Sequence, residues 1–144
     1  MIKEFYCDLL KLVTITISII TALTCTSCLA NDTAIMTIIL ESSNQSFTGQ
    51  VAVANVIKTR MKQRGQTAEA ICKEPYQFSA YHPITGKPTQ TRKITQKEKM
   101  KALLAWKKGK VWEYNHYAHY KVKPYWVKKA TKSLKVGDHV FYKL

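Results

Sequence analysis

From Leu12 to Ala30 the chain carries no charged residue, whereas Lys and Arg recur from Lys58 to Lys143. That change of character divides the 144 residues into an N-terminal targeting segment and one further stretch, residues 31–144. The second stretch is long enough to bury one core and too short for two, so a single domain is expected. Lys3 and Lys11, beside Glu4 and Asp8, precede the uncharged run, the layout of an export signal with an apolar centre. Thr14, Thr16, Thr21, Thr24 and Thr26 make the run weak as a permanent membrane helix. Cys28-Leu29-Ala30 offers a small-residue cleavage site that would leave Asn31 first. The expectation is an exported protein, in the periplasm, cell wall or exterior. Retention as a membrane anchor through residues 12–30, or lipidation at Cys28, are the alternatives.

Charge narrows the partners. Of 23 Lys and Arg and nine Asp and Glu, only Lys3, Lys11, Glu4 and Asp8 fall in residues 1–30, so residues 31–144 keep the net +14. A surface this basic attracts polyanions: nucleic acid, anionic lipid or wall polymers. Basic and aromatic residues interleave from Tyr114 to Lys129, which would suit nucleic acid. No RNP pattern, KH-type G-x-x-G or zinc finger accompanies them, so nucleic acid is not expected. Cys7, Cys25 and Cys28 lie in the targeting segment, which leaves Cys72 alone in the domain and no disulfide framework. Cys72 follows Ala70-Ile71 and reads as a buried structural thiol.

The patterning predicts a mainly helical α+β domain. Asp32 or Thr33 is expected to cap a first helix ending near Glu41, followed by a polar loop, Ser42-Ser43-Asn44-Gln45-Ser46. A second helix should run from about Thr48 to Lys62. Val51, Val53, Ala54, Val56, Ile57 and Met61 give it an apolar surface, Lys58, Arg60, Lys62 and Arg64 are basic, and Gly65 ends it. Thr67 to Cys72 reads as a short helix, and residues 75–93, holding three of the four prolines, as loop. Thr95-x-x-Glu98 is a capping box opening a helix that Gly109 closes. The last third is aromatic and ends in a short strand within Val136 to Tyr142.

Glu41 is the leading candidate for chemistry. It ends the apolar run Ala34-Ile35-Met36-Thr37-Ile38-Ile39-Leu40-Glu41 where a polar loop begins, so one side can be dry and the other open to substrate. Glycan cleavage needs a carboxylic acid to protonate the glycosidic oxygen, and hydrolysis usually adds a second carboxylate. Transglycosylation needs only one, because the C6 hydroxyl of the sugar attacks. A lone well-placed glutamate suits that chemistry better. An acid that donates near neutral pH needs dry surroundings, which Ile38, Ile39 and Leu40 could supply with basic residues kept at a distance. Gln77-Phe78-Ser79 and Pro124-Tyr125-Trp126 offer amide, hydroxyl and aromatic groups of the kind that bind sugars. His116 and His119, three apart, could share a helix face and bind zinc with His139, His82 or Cys72. No H-E-x-x-H occurs, so each histidine is read as a packing or hydrogen-bonding residue, with no metal or cofactor expected.

Several segments together resemble one family. Glu41-Ser-Ser-Asn-Gln-Ser-Phe-Thr-Gly49-Gln50-Val51-Ala52-Val53-Ala54-Asn55-Val56-Ile57-Lys58-Thr59-Arg60 resembles the signature E-A-R-G-E-x-x-x-G-Q-x-A-V-A-x-V-x-x-N-R of the SleB-type cell-wall hydrolases, the spore-cortex-lytic family. Cys72 with Gln77-Phe78-Ser79, His116-Tyr117 with Pro124-Tyr125-Trp126, and Val136-Gly137-Asp138-His139-Val140-Phe141-Tyr142-Lys143 resemble its later segments in order. The resemblance implies a lysozyme-like fold and cleavage of peptidoglycan between N-acetylmuramic acid and N-acetylglucosamine. It implies the lytic transglycosylase mechanism, with 1,6-anhydromuramic products and Glu41 as general acid and then base. It places Gln77, Phe78, Ser79, His116, Tyr117, Tyr125 and Trp126 as substrate-binding residues. Gln45 and Thr59 depart from the signature, where Glu and Asn are usual. The expected partners are peptidoglycan strands and an anionic wall or membrane surface, met by a monomer acting in phage lysis or spore germination. A catalytically weak wall-binding protein of the same fold is the alternative, with a basic nucleic-acid-binding protein ranked behind it.

Overall fold

The computed structural model describes residues 32–144. The expected targeting segment, with its cleavage, anchoring or lipidation, lies outside the described residues. Helix α1 is described over residues 32–42, and Asp32 and Thr33 are already helical instead of capping it. Ser42, expected in the loop, is buried in the last turn and donates its hydroxyl to the Ile38 carbonyl at 2.6 Å. That bond satisfies a buried polar group within the helix, which runs one residue beyond Glu41.

Helix α2, Phe47–Arg64, is the centre of the domain. Ser46 caps it by accepting from the Gly49 N–H at 3.2 Å, and Gly65, at φ 63°, closes it in the left-handed conformation. Its apolar residues Val53, Val56 and Ile57 are fully buried. A polar stripe on the same helix holds the backbone of the segment that leads to the sheet. Asn55 Oδ1 accepts from the Lys110 N–H at 2.7 Å, Lys58 Nζ donates to the Gly109 carbonyl at 2.7 Å, and Arg60 Nε donates to the Asn115 carbonyl at 2.7 Å. Thr59 Oγ1 accepts from the Trp112 N–H at 3.1 Å. These side chains stand in for the β-ladder that this stretch lacks, so its backbone is paired. Gly109 lies so close to α2 that a Cβ there would sit 2.8 Å from the Ala54 Cβ.

Helices α3, Ala68–Lys73, and α4, Gln96–Lys108, pack on α2. Thr67 caps α3, and the expected box of Thr95 and Glu98 is formed in full on α4. Strands β1, His116–His119, β2, Lys132–Val136, and β3, His139–Lys143, form an antiparallel sheet in the order β1-β3-β2. A short 3-10 helix, Tyr125–Lys129, lies between β1 and β2. Of the three strands, the sequence pattern predicts only the last. His116 and His119 therefore lie on a strand and not a helix, where residues three apart point to opposite faces. Phe141 on β3 is fully buried and joins the sheet to the helical core of Ile38, Ile39, Val53, Ile57 and Ile71. The expected mainly helical α+β architecture is the one found.

Candidate active site

The last turn of α1, the loop after α3 and strand β1 converge on one carboxylate. Glu41 Oε1 accepts from the Ser79 hydroxyl at 2.9 Å and from the Ala80 N–H at 2.7 Å. Its Oε2 accepts from the Tyr117 hydroxyl at 2.8 Å. The side chain is partly exposed, with buried Leu40 and Ser42 on either side of it in sequence. No Lys or Arg among the described residues forms an ion pair with it.

The donor set makes the two oxygens inequivalent. The Ala80 N–H can only donate, so Oε1 is fixed as an acceptor. The Tyr117 hydroxyl can donate or accept, so Oε2 can carry a proton and keep its partner. Burial, then the Glu41 charge and bond, hold the Tyr117 phenol well above its usual range, so that hydroxyl stays protonated. The Tyr117 ring is wedged against Phe141 at 5.4 Å and His139 at 5.1 Å, which fixes the hydroxyl. Burial pushes the His139 imidazole down, against a smaller opposing pull from Glu41. Its Nδ1 is buried without a partner.

Tyr117 also walls a cavity of about 420 Å³ together with Arg60, Gln77, His116, Tyr125 and Trp126. Five of the expected substrate-binding residues are thus brought to one opening. Tyr125 is 82% exposed, whereas Trp126 is partly covered and meets His116 at 5.3 Å and Tyr142 at 5.5 Å. Ser79 is exposed beside Glu41. Phe78 differs from the expectation. It is only 5% exposed, 6.3 Å from the Tyr117 ring and 5.0 Å from the Arg60 guanidinium, so it supports the site from the core and offers no face to a sugar.

By its patterning Arg60 falls within a basic helix face, and it also matches the arginine that closes the resembled signature. A signal for its burial is nonetheless present: it follows Val53, Val56 and Ile57 at helical spacing, on their face of α2. Burial pushes its guanidinium down to about 10, so it stays cationic at neutral pH. His116 is pushed down to about 4 by burial and by Arg60 and Arg64, so it is neutral. Cys72 is fully buried and its thiol is pushed up to about 12 by burial, which fits a packing role. Among the described residues no three metal-ligating side chains gather.

The two departures from the resembled signature have local explanations. Gln45 Nε2 donates to Asp138 Oδ2 at 3.1 Å while its Oε1 accepts from the Asp138 N–H at 3.1 Å. A glutamate there would set a carboxylate against Asp138, and glutamine supplies the donor. Thr59 is the residue that pairs with Trp112. Both tie the frame together and neither bonds Glu41.

The sequence model of a family described as cell wall hydrolase matches residues 44–142. Among solved structures, the catalytic domain of the germination-specific lytic transglycosylase SleB from Bacillus anthracis aligns with a TM-score of 0.59 and 25% identity, over 77% of this chain and 91% of that one. The catalytic domain of the Bacillus cereus SleB protein aligns with a TM-score of 0.58 and 25% identity, over 76% and 86%. No match is found among curated proteins. The family match begins three residues after Glu41, so the case for that carboxylate rests on its geometry. The matched span covers most of the chain, and the fold is that of the SleB catalytic domains: this protein belongs to the cell wall hydrolase family.

Proposed function

We propose that the protein cleaves peptidoglycan strands between N-acetylmuramic acid and N-acetylglucosamine as a lytic transglycosylase, with Glu41 as its only acid and base. The observation that carries this reading is the carboxylate of Glu41, clamped by Ser79, Ala80 and Tyr117 beside an aromatic-walled cavity, with no second carboxylate among the described residues bonded into the cluster. Three other acidic side chains make their bonds away from Glu41: Glu74 with Arg64, Glu113 with Lys132 and Asp138 with Gln45.

A proton on Oε2 passes to the glycosidic oxygen as the C1–O bond breaks. The departing sugar leaves with a free hydroxyl, and positive charge develops at the muramyl C1. The resulting carboxylate then takes the proton of the C6 hydroxyl as O6 closes on C1 to give the anhydro ring. No water is consumed, and Glu41 ends protonated as it began. Tyr117 can turn its hydroxyl to accept and then donate through this cycle, which makes it a positioning residue. Release of soluble fragments from purified peptidoglycan tests the reading. Intact walls after prolonged exposure to folded protein would favour a wall-binding role instead.

Tyr117→Phe removes one bond to a charged group, worth about 1.5–3 kcal/mol. The expected result is a fall in kcat of roughly ten- to a hundred-fold with little change in KM. An unchanged kcat would contradict the role given to this hydroxyl.

The basic surface is proposed to hold the protein on an anionic wall or membrane, and the uncharged N-terminal run to direct its export. No helix among the described residues is long and apolar enough to cross a membrane. If electrostatics holds it to walls, binding in a sedimentation assay should fall steeply as salt rises, because the Debye length shrinks from roughly 30 Å at 0.01 M to about 3 Å at 1 M. Salt-independent binding would exclude that role for the charge.

A further inference from the structure

Arg60 has no ion-pair partner among the described residues. It is only 3% exposed. Its Nε is satisfied by the Asn115 carbonyl and the Phe78 ring lies against its face, but Nη1 is buried without a hydrogen-bond partner. A buried guanidinium left in this state is costly, and a bound anion relieves the cost. The guanidinium lines the 420 Å³ cavity that Tyr117 shares with the Glu41 cluster. Of the other lining residues, Tyr125 and Tyr76 are exposed aromatics, Trp126 and His116 are partly covered, and Gln77 and Leu144 complete the wall. Arg64, the neighbouring cation, is already paired with Glu74. Tyr76 holds the left-handed backbone conformation, φ 63°, which bulky residues disfavour, and it is 85% exposed where it lines the cavity.

One fixed cation behind aromatic walls suits a monoanion carried on a sugar or a short peptide, and a fork-shaped guanidinium suits a carboxylate. We infer that this cavity is a carboxylate subsite in which the Arg60 guanidinium binds the acidic side chain of a muramyl unit while Glu41 acts on the adjoining glycosidic bond. The inference rests on the proposed peptidoglycan reading and adds its substrate requirement. The carboxylate can come from the lactyl group of the muramyl unit or from the peptide attached to it. Glycans of N-acetylglucosamine alone lack both.

The test is ligand titration of the full-length chain carrying Glu41→Gln, monitored by nuclear magnetic resonance. The probes are N-acetylmuramic acid and its lactyl amide, muramyl dipeptide and its terminal amide, and an N-acetylglucosamine oligomer. The expected result is that, within one of the two pairs, the carboxylate form binds at least about ten-fold more tightly than the amide. A preference in the first pair assigns the lactyl group, and one in the second assigns the peptide. Adding Arg60→Gln should abolish that preference, and the comparison of acid with amide stands even if this variant misfolds. Equal binding of acid and amide in both pairs, no binding of any probe, or a preference that survives in folded Arg60→Gln would overturn the subsite. Wild-type protein that still digests peptidoglycan alongside such a result would leave the proposed function standing. Failure of digestion with a clear acid preference would do the reverse.

Discussion

Replacing Glu41 with glutamine is expected to lower peptidoglycan cleavage by roughly 10²–10⁴-fold, the range supplied by a positioned general acid. The substitution keeps the shape of the side chain and most of its bonds. The glutamine oxygen can accept from Ser79 Oγ and the Ala80 N–H, as Oε1 does now. Its amide can donate to Tyr117, whose hydroxyl turns from donor to acceptor. What is lost is the exchangeable proton. The melting temperature should therefore stay close to that of the wild type while the rate of fragment release collapses. Comparable rates for the two proteins would remove Glu41 from the chemistry. A parallel loss of stability would mean that the hydrogen bonds, and not the proton, were the point of the arrangement.

Phe141→Ala should have the largest effect on stability. The ring is fully buried where the sheet meets the helices, 5.3 Å from Trp112, 5.4 Å from Tyr117 and 6.2 Å from His139. Truncating a buried phenylalanine costs about 3–5 kcal/mol, through lost burial and the cavity left behind. That is a large share of the ~5–15 kcal/mol that holds a typical domain together. For a domain of this size each kcal/mol lowers the melting temperature by about 4–8 °C, so a fall of at least about 12 °C is expected in a thermal melt. Activity should fall as well, because the Tyr117 ring that positions Glu41 loses its backing. A drop below about 1 kcal/mol would show that the neighbouring rings close over the gap, and that the sheet is not a rigid support for Tyr117.

The helices are legible in the sequence because their signals are local. Thr95 and Glu98 form their box within one turn, Thr67 caps α3, and Gly65 adopts the left-handed conformation that its position after α2 suggests. Strands β1 and β2 leave no comparable trace. Lys132-Ser133-Leu134-Lys135-Val136 is almost wholly exposed, so it shows no buried alternation, and it is a strand only because β3 pairs with it. His116 to His119 is likewise defined by its register with His139 to Tyr142. Glu41 can be picked out because the apolar run stops there. Its partners cannot be assembled from spacing, since Ala80 and Tyr117 are brought to it only by the tertiary fold. The burial of Arg60 is hidden for a related reason. Lys58, Lys62 and Arg64 around it suggest a basic face, while its own spacing from Val53, Val56 and Ile57 puts it inside.

The central claim is that one carboxylate does the work and that a sugar hydroxyl, not water, attacks. Digestion of purified peptidoglycan in ¹⁸O-labelled water, with the fragments read by mass spectrometry, tests this directly. The account predicts fragments ending in 1,6-anhydro-N-acetylmuramic acid, with no solvent oxygen in the new termini. Reducing ends carrying one labelled oxygen would contradict it and would require a second group to activate water.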